Sequence, residues 1–216
     1  KVTITVSGST SVGPLMEKIA EKYEEENSDV SIEINQTGSS AGIKDAMDGI
    51  SDIGLSSRDL KDEEASKVKS TVLAYDGVAV ITNTSNPVKE LTIEQIRDIF
   101  TGKITNWNQI GGNDSPIVVV SRETGSGTRT AFEEGVGYSE EELVKTATIS
   151  KGNGDVKTTV STNENAIGFV SFEYLDDAIS AINVNGIKPT AENVKAGSYV
   201  LSRPFLAVTN EQYITE

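Results

Sequence analysis

Short runs of β-branched residues alternate with amphipathic stretches along the whole chain, and this alternation constrains the fold more than any other feature. The runs are VTITV at 2–6, VSIEI at 30–34, VAVIT at 78–82, IVVV at 117–120, AIGFVS at 166–171 and FLAVT at 205–209. Between them apolar residues recur near the helical period, as in Leu15, Ile19 and Tyr23, in Ile43, Ala46 and Met47, and in Ile93, Ile96 and Phe100. Parallel strands need a long crossover, which a helix supplies, so the alternation predicts an α/β fold of βαβ units with mostly parallel sheets. No internal repeat is legible. A chain of 216 residues accommodates one large domain or two small ones and buries roughly 70% of its unfolded surface.

Three turns share one chemistry. SGSTSVGP (7–14), TGSSAG (37–42) and SRETGSGT (121–128) each follow a strand, combine Gly with Ser or Thr, and precede a helix. In an open parallel sheet such turns lie at the carboxyl edge of the strands, where ligands bind. A helix N-terminus there presents unpaired N–H groups and a partial positive charge, hydroxyls add donors, and Gly permits close approach. Ser and Thr are also the preferred N-caps, so one such segment alone reads as a structural cap. Three together, with Arg122 inside the third, point to an anion.

Composition limits the alternatives. The formal net charge of -14 argues against a nucleic-acid binder, which needs clustered Lys and Arg to displace counterions. It also opposes the approach of anions, so an anion site must be built from local dipoles and a few placed cations. The chain has no Cys and no His, which removes thiolate chemistry, the usual zinc sites and every Ser–His or Cys–His pair. No apolar run approaches the ~20 residues of a membrane span. The sequence opens at Lys1 on a strand-like segment with neither Met nor signal peptide, and a processed or trimmed mature domain is expected.

Several motif look-alikes fail on chemistry. Gly38-Ser39-Ser40-Ala41-Gly42 fits G-x-S-x-G, but that serine needs a histidine base. GSGT at 125–128 lacks the Lys of a phosphate loop. Glu24–Glu26 and Glu140–Glu142 read as solvated helix faces. Trp107, the only tryptophan, reads as packing rather than ligand stacking. No catalytic residue, metal site or cofactor is expected.

At these turns the sequence resembles the substrate-binding component of the phosphate ABC importer, in its compact form, within the type II periplasmic-binding-protein superfamily. The resemblance runs through SGSTSVGPLMEKIAEKYE, TGSSAGIKDAMDG, SDIGLSSRDLKDEE, LTIEQIRDIFTGKITNWNQIGG, SRETGSGTRTAFEE, AIGFVSFEYL and LSRPFLAVT. It implies two lobes, each a mostly parallel sheet flanked by helices, with the ligand in the interlobe cleft and closure by hinge motion. Lobe I is expected at 1–74 and 178–216, lobe II at 75–177, with crossings near VLAYDGV and GFVSFEY. Carried over motif by motif, Thr10, Ser11, Ser39, Ser126, Gly127 and Thr128 donate to the anion, and Arg122 grips two of its oxygens.

Two departures stand out. Larger relatives carry an Asp after DIG that accepts a proton from hydrogenphosphate, where this chain has Ser57 followed by Arg58. Asp76 in LAYDGVAV is the candidate replacement acceptor, and a hinge or cap carboxylate is the other reading of it. Arg58 is either a second cation at the anion or a partner of Asp59 or Asp62. The chain also stops at TNEQYITE, where relatives continue into a helix, so a trimmed chain or a differently completed lobe is expected. The resemblance implies a monomer that takes inorganic phosphate to ABC transporter permease subunits, works without a cofactor or nucleic acid, and resides in the periplasm or at the cell surface on a lipid anchor. Alternatives are another tetrahedral oxyanion such as sulfate or molybdate, a phosphoesterase, and a surface protein that retained the fold without the ligand.

Overall fold

The structure, a computed structural model, describes residues 1–214. The chain runs β1 (Val2–Gly8), α1 (Gly13–Glu26), β2 (Val30–Gln36), α2 (Ser39–Met47), β3 (Ile53–Ser56), α3 (Asp62–Ala65) and β4 (Lys69–Thr82). There follow β5 (Glu90–Leu91), α4 (Ile93–Phe100), β6 (Val118–Arg122), α5 (Gly127–Val136), β7 (Thr148–Ser150), α6 (Gly152–Thr162) and β8 (Ala166–Ser171). The last elements are β9 (Ser180–Ala181), β10 (Asn183–Val184), α7 (Ala191–Lys195) and β11 (Ser202–Thr209). All six expected strands are present, and β8 has the expected bounds.

The chain divides into two compact units: Lys1–Tyr75 with Gly125–Gly127 and the chain from Arg203 onward, and Asp76–Thr124 with Thr128–Ser202. The first passage between them falls at Tyr75–Asp76, one residue past the expected end of lobe I. The last falls at Ser202–Arg203, well beyond the boundary expected at 177–178. The reason is packing: Ile179, Ile182, Val184, Tyr199 and Leu201 are buried in the apolar cores of the second unit, and the Tyr199 hydroxyl donates to the Val78 carbonyl at 2.7 Å. Residues 215 and 216 of the expected lobe I lie outside the described residues.

In the first unit β1 pairs in parallel with β2, from Val2 opposite Val30 to Gly8 opposite Gln36, and in parallel with β3. On the far side of β3 lies β11, antiparallel, with Ala207 opposite Leu55. Both faces are covered, as parallel sheets require. Val6, Leu55 and Phe205 pack with Val12 and Met16 on the α1 side, while Leu206 and Val208 pack with Ile43 and Ala46 of α2. The α1 stripe is shifted from the expected one. Met16 and Ala20 face inward, whereas Ile19 and Tyr23 are exposed, because the row that continues Val12 through Met16 meets the sheet. Helix α2 seats almost directly on β1: a Cβ on Gly42 would lie 2.4 Å from the Gly8 Cα.

In the second unit the later half of β4 pairs antiparallel with β8, while β6 is parallel to both β8 and β7. Alternate residues go to opposite faces. Val78, Val80, Val119, Ile167 and Phe169 join an aromatic core with Phe100, Trp107 and Phe132, and Phe132 stacks on Phe169 at a centroid distance of 4.1 Å. Ala79, Ile81, Val120, Ala166 and Val170 meet Val156 and Val160 of α6 on the other face. Trp107 is buried in the first of these cores and its indole N–H donates to the Asn165 carbonyl at 3.0 Å, which is the packing role read from the sequence.

Candidate functional site

The carboxyl edge of the first unit's sheet gathers most of the predicted donors. Strands β1, β2 and β3 are parallel neighbours, so the turns that follow them open at one edge. Thr10 and Ser11 occupy the turn after β1, Ser39 is the first residue of α2, and Ser57 and Arg58 follow β3. The capping hydroxyl of the first turn belongs to Ser9, which accepts from the amides of Ser11 at 3.2 Å and Val12 at 3.3 Å. Pro14 in the first turn of α1 sacrifices no needed donor.

Ser39 and Ser57, 18 residues apart in sequence, are joined in space. The Ser39 Oγ accepts the Ser57 amide at 3.0 Å and lies 3.1 Å from the Ser57 Oγ. Of the two hydroxyl protons in this buried pair, the mutual hydrogen bond uses one, and the other is available to a ligand. Gly125–Gly127 belong to this unit: the Gly125 carbonyl accepts the Ser40 amide at 3.2 Å. At Gly127 a Cβ would fall 2.1 Å from the Ser39 Oγ and 2.7 Å from the Ser57 Oγ. Only glycine fits where the backbone meets both hydroxyls. Ser126 beside it is buried.

Arg58 is buried, and its partner is neither of the aspartates expected. Its Nη1 and Nη2 donate in fork geometry to the Glu64 carboxylate at 2.7 and 3.0 Å, Nη1 also donates to the Asp59 carbonyl at 2.9 Å, and Nη2 to the Ser40 hydroxyl at 3.3 Å. Burial pushes the Glu64 carboxyl upward, but the Arg58 and Lys61-amide hydrogen bonds and the two cations outweigh it and hold the group below its ordinary range. Arg203 lies close by, within 3.4 Å of the Ser57 carbonyl through Nη1, its guanidinium 5.5 Å from the Phe205 ring centroid.

The second unit has its own carboxyl edge, formed by β6, β7 and β8. Arg122 ends β6 and is 1% exposed. Its Nε and Nη2 each donate to the Glu123 carboxylate at 2.8 Å, and the Gly152 amide reaches the same carboxylate at 3.3 Å. Burial raises the Glu123 carboxyl, yet the Arg122 hydrogen bond and charge dominate, and its pKa is lowered. Arg129 braces this corner: it donates to the Arg122 carbonyl at 3.0 Å and to Glu133 at 2.7 Å. Thr128, the second residue of α5, is buried beside it in sequence. Asp76 accepts from the Ser171 hydroxyl at 2.7 Å, and the Ser171 amide donates to the buried Asn153 side chain at 3.0 Å. Among the described residues there is no group of three or more His, Cys, Asp or Glu side chains that could hold a metal ion, and no helix is long and apolar enough to cross a membrane.

The family model of the PBP superfamily domain matches residues 1–215. The chain belongs to the PBP superfamily. Similar solved structures of this superfamily include a phosphate ABC transporter substrate-binding protein with bound phosphate from Clostridium perfringens, 59% identical over 99% of this chain and 88% of that one, with a TM-score of 0.97. An ABC-type phosphate transport receptor from Vibrio cholerae is 40% identical over 98% of this chain and 88% of its own, with a TM-score of 0.83. The phosphate-binding protein PstS of Bacillus subtilis is 35% identical over 202 residues, 91% of this chain; the chain spans 66% of that relative's length. This PBP-superfamily chain is therefore a member of the phosphate-binding-protein family.

Several residues of this PBP domain escape sequence reasoning. Glu64, Glu123, Ser171 and Asn153 hold the predicted ones in place, and Arg203 adds a buried cation beside Ser57. A signal existed only for Glu123, whose carboxylate neighbours Arg122 in sequence. Ser171 is 95 residues from Asp76, and no local spacing reports that contact.

Proposed function

We propose that this chain is the extracytoplasmic substrate-binding protein of a phosphate ABC importer, and that it binds one inorganic phosphate without chemical conversion. The observation that carries the reading is the 59% identity, over nearly the whole chain, to a substrate-binding protein solved with bound phosphate. The donor set supports it. Hydroxyls and amides of Thr10, Ser11, Ser39, Ser57, Ser126, Gly127 and Thr128, together with the Arg122 guanidinium, supply uncharged donors and a single cation, which suits a small anion held by local dipoles. Asp76 is the acceptor in this reading: its carboxylate, aimed by Ser171, accepts the hydrogen bond of the hydrogenphosphate P–OH and is left facing an unprotonated oxygen when sulfate enters. The protein works as a monomer that delivers its anion to permease subunits, and a lipid anchor on the precursor would keep it at the cell surface.

Isothermal titration calorimetry of the phosphate-stripped protein with phosphate, sulfate and molybdate, each at pH 6 and pH 8, tests the reading. One-to-one binding of phosphate in preference to the other two is expected. Preference for sulfate or molybdate would overturn the substrate, and silence towards all three would overturn the binding function.

A further inference from the structure

The Arg58–Glu64 pair lies within one unit. Both side chains are buried, and the carboxylate is fully committed. One oxygen takes Nη1 of Arg58 and the Lys61 amide at 2.7 and 2.8 Å, and the other takes Nη2 at 3.0 Å. The guanidinium in turn spans three segments: it reaches the Asp59 carbonyl in its own loop, the Ser40 hydroxyl in the first turn of α2, and Glu64 in α3. Between these anchors lie Ser39 and Ser57, adjacent in sequence to Ser40 and Arg58 respectively. A second tie acts on the same loop, since the Ser56 hydroxyl donates to the Arg58 carbonyl at 2.8 Å and accepts the Arg58 amide at 3.2 Å.

Each terminal nitrogen of Arg58 already donates twice, once to Glu64 and once to the Asp59 carbonyl or the Ser40 hydroxyl, so its four terminal N–H groups are committed and it acts as a rigid strut between the segments it bridges rather than as a ligand for a second anion. We propose that Arg58 and Glu64 are a positioning pair that fixes the Ser57 loop against the start of α2, so that the Ser39 and Ser57 donors are preorganised for the anion, with Arg58 itself not a ligand. This rests on the reading that Ser39 and Ser57 donate to phosphate. Preorganised donors bind more tightly because ordering them is not left to the binding step; outer contacts of this sort around metal sites are worth about ten- to a hundredfold in affinity.

The test is calorimetric phosphate titration of the full chain and of Arg58→Lys, Glu64→Gln and the double variant, with thermal unfolding of each followed by circular dichroism. The titrations are run well below every Tm, where the folded fraction is near one and partial unfolding does not weaken the apparent Kd, so a merely structural pair would move Tm without moving Kd. Each single variant is expected to bind phosphate about tenfold more weakly, and the double variant no more weakly than the worse single, because both changes break one unit. Unchanged affinity in both singles overturns the proposal, as does tighter binding by Glu64→Gln, which would mean that a released Arg58 serves as a ligand. Should these buried changes prevent folding, Ser40→Ala removes only the half-buried end of the strut; about two- to tenfold weaker phosphate binding is expected, and unchanged binding overturns the proposal. Parent protein that ignores phosphate would instead sink the functional reading, and this inference with it.

Discussion

Replacing Gly127 by alanine puts a methyl group where the structure leaves no space. The new Cβ would lie 2.1 Å from the Ser39 Oγ, 2.7 Å from the Ser39 Cβ and 2.7 Å from the Ser57 Oγ. Ordinary contact begins at 3.4 Å, so about 1.3 Å of movement is required of atoms that cannot easily give. Rotating the Ser39 hydroxyl away would abandon the Ser57 amide it accepts at 3.0 Å, and its Cβ is fixed by the backbone of α2. Forced overpacking of this kind costs about 1–3 kcal/mol, which for a chain of this size lowers Tm by about 2–12 °C. Phosphate binding should suffer separately: losing one hydrogen bond to a charged group is worth about 1.5–3 kcal/mol, or at least about tenfold in Kd. Calorimetry and thermal unfolding measured side by side separate the two effects. Gly154→Ala is the control, because Gly154 sits inside α6 with nothing within 4 Å of its added Cβ. That change should raise stability by about 0.5–1 kcal/mol and leave phosphate binding alone. A Gly127→Ala protein with the parental Tm and a Kd within about twofold of the parent would refute the packing argument.

Three further outcomes are expected. Asp76→Asn keeps the size of the side chain beside Ser171 but removes the acceptor charge, so phosphate affinity should fall about tenfold or more and the phosphate-to-sulfate ratio should collapse; a ratio equal to the parent's in paired titrations would assign Asp76 a structural role only. Trp107→Phe loses the bond to the Asn165 carbonyl and part of a ring that is 1% exposed, at about 1–3 kcal/mol; denaturant unfolding should register that loss, while the phosphate Kd stays as it was. Glu64 has its folded-state pKa depressed below 4.5, so its contribution to stability is complete above that pH and fades as pH falls through the lowered value. Circular dichroism from pH 7 to pH 2 should accordingly show a shallower acid arm for Glu64→Gln than for the parent, and identical slopes would contradict the assignment.

The elements that local chemistry specifies were legible in the sequence. β-Branched runs became strands because at least one face of each is apolar and packs against a core, and in Val78–Ile81 both faces do, with alternate side chains entering two cores. The Gly/Ser turns fell at the carboxyl edges because parallel pairing leaves them no other place. Trp107 as packing and the absence of a His- or Cys-based site followed from composition and patterning. Even within a helix, however, local spacing named the wrong row of α1, since Leu15, Ile19 and Tyr23 satisfy the helical period as well as the buried row through Met16 and Ala20.

Contacts between distant residues were decided by tertiary structure alone. Which hydroxyl meets which amide, as between Ser39 and Ser57, depends on the register of β1 against β2 and β3. That Arg58 chooses Glu64 over Asp59 or Asp62 depends on where α3 places its carboxylate, for all three lie within a few residues and carry the same charge. Residues 178–202 read as a return to the first lobe, yet Ile182 and Tyr199 find their apolar partners in the second unit. The hydrophobic effect rewards burial without regard to sequence distance. Periodicity and turn chemistry therefore determine what each segment becomes, and packing determines which segments keep company.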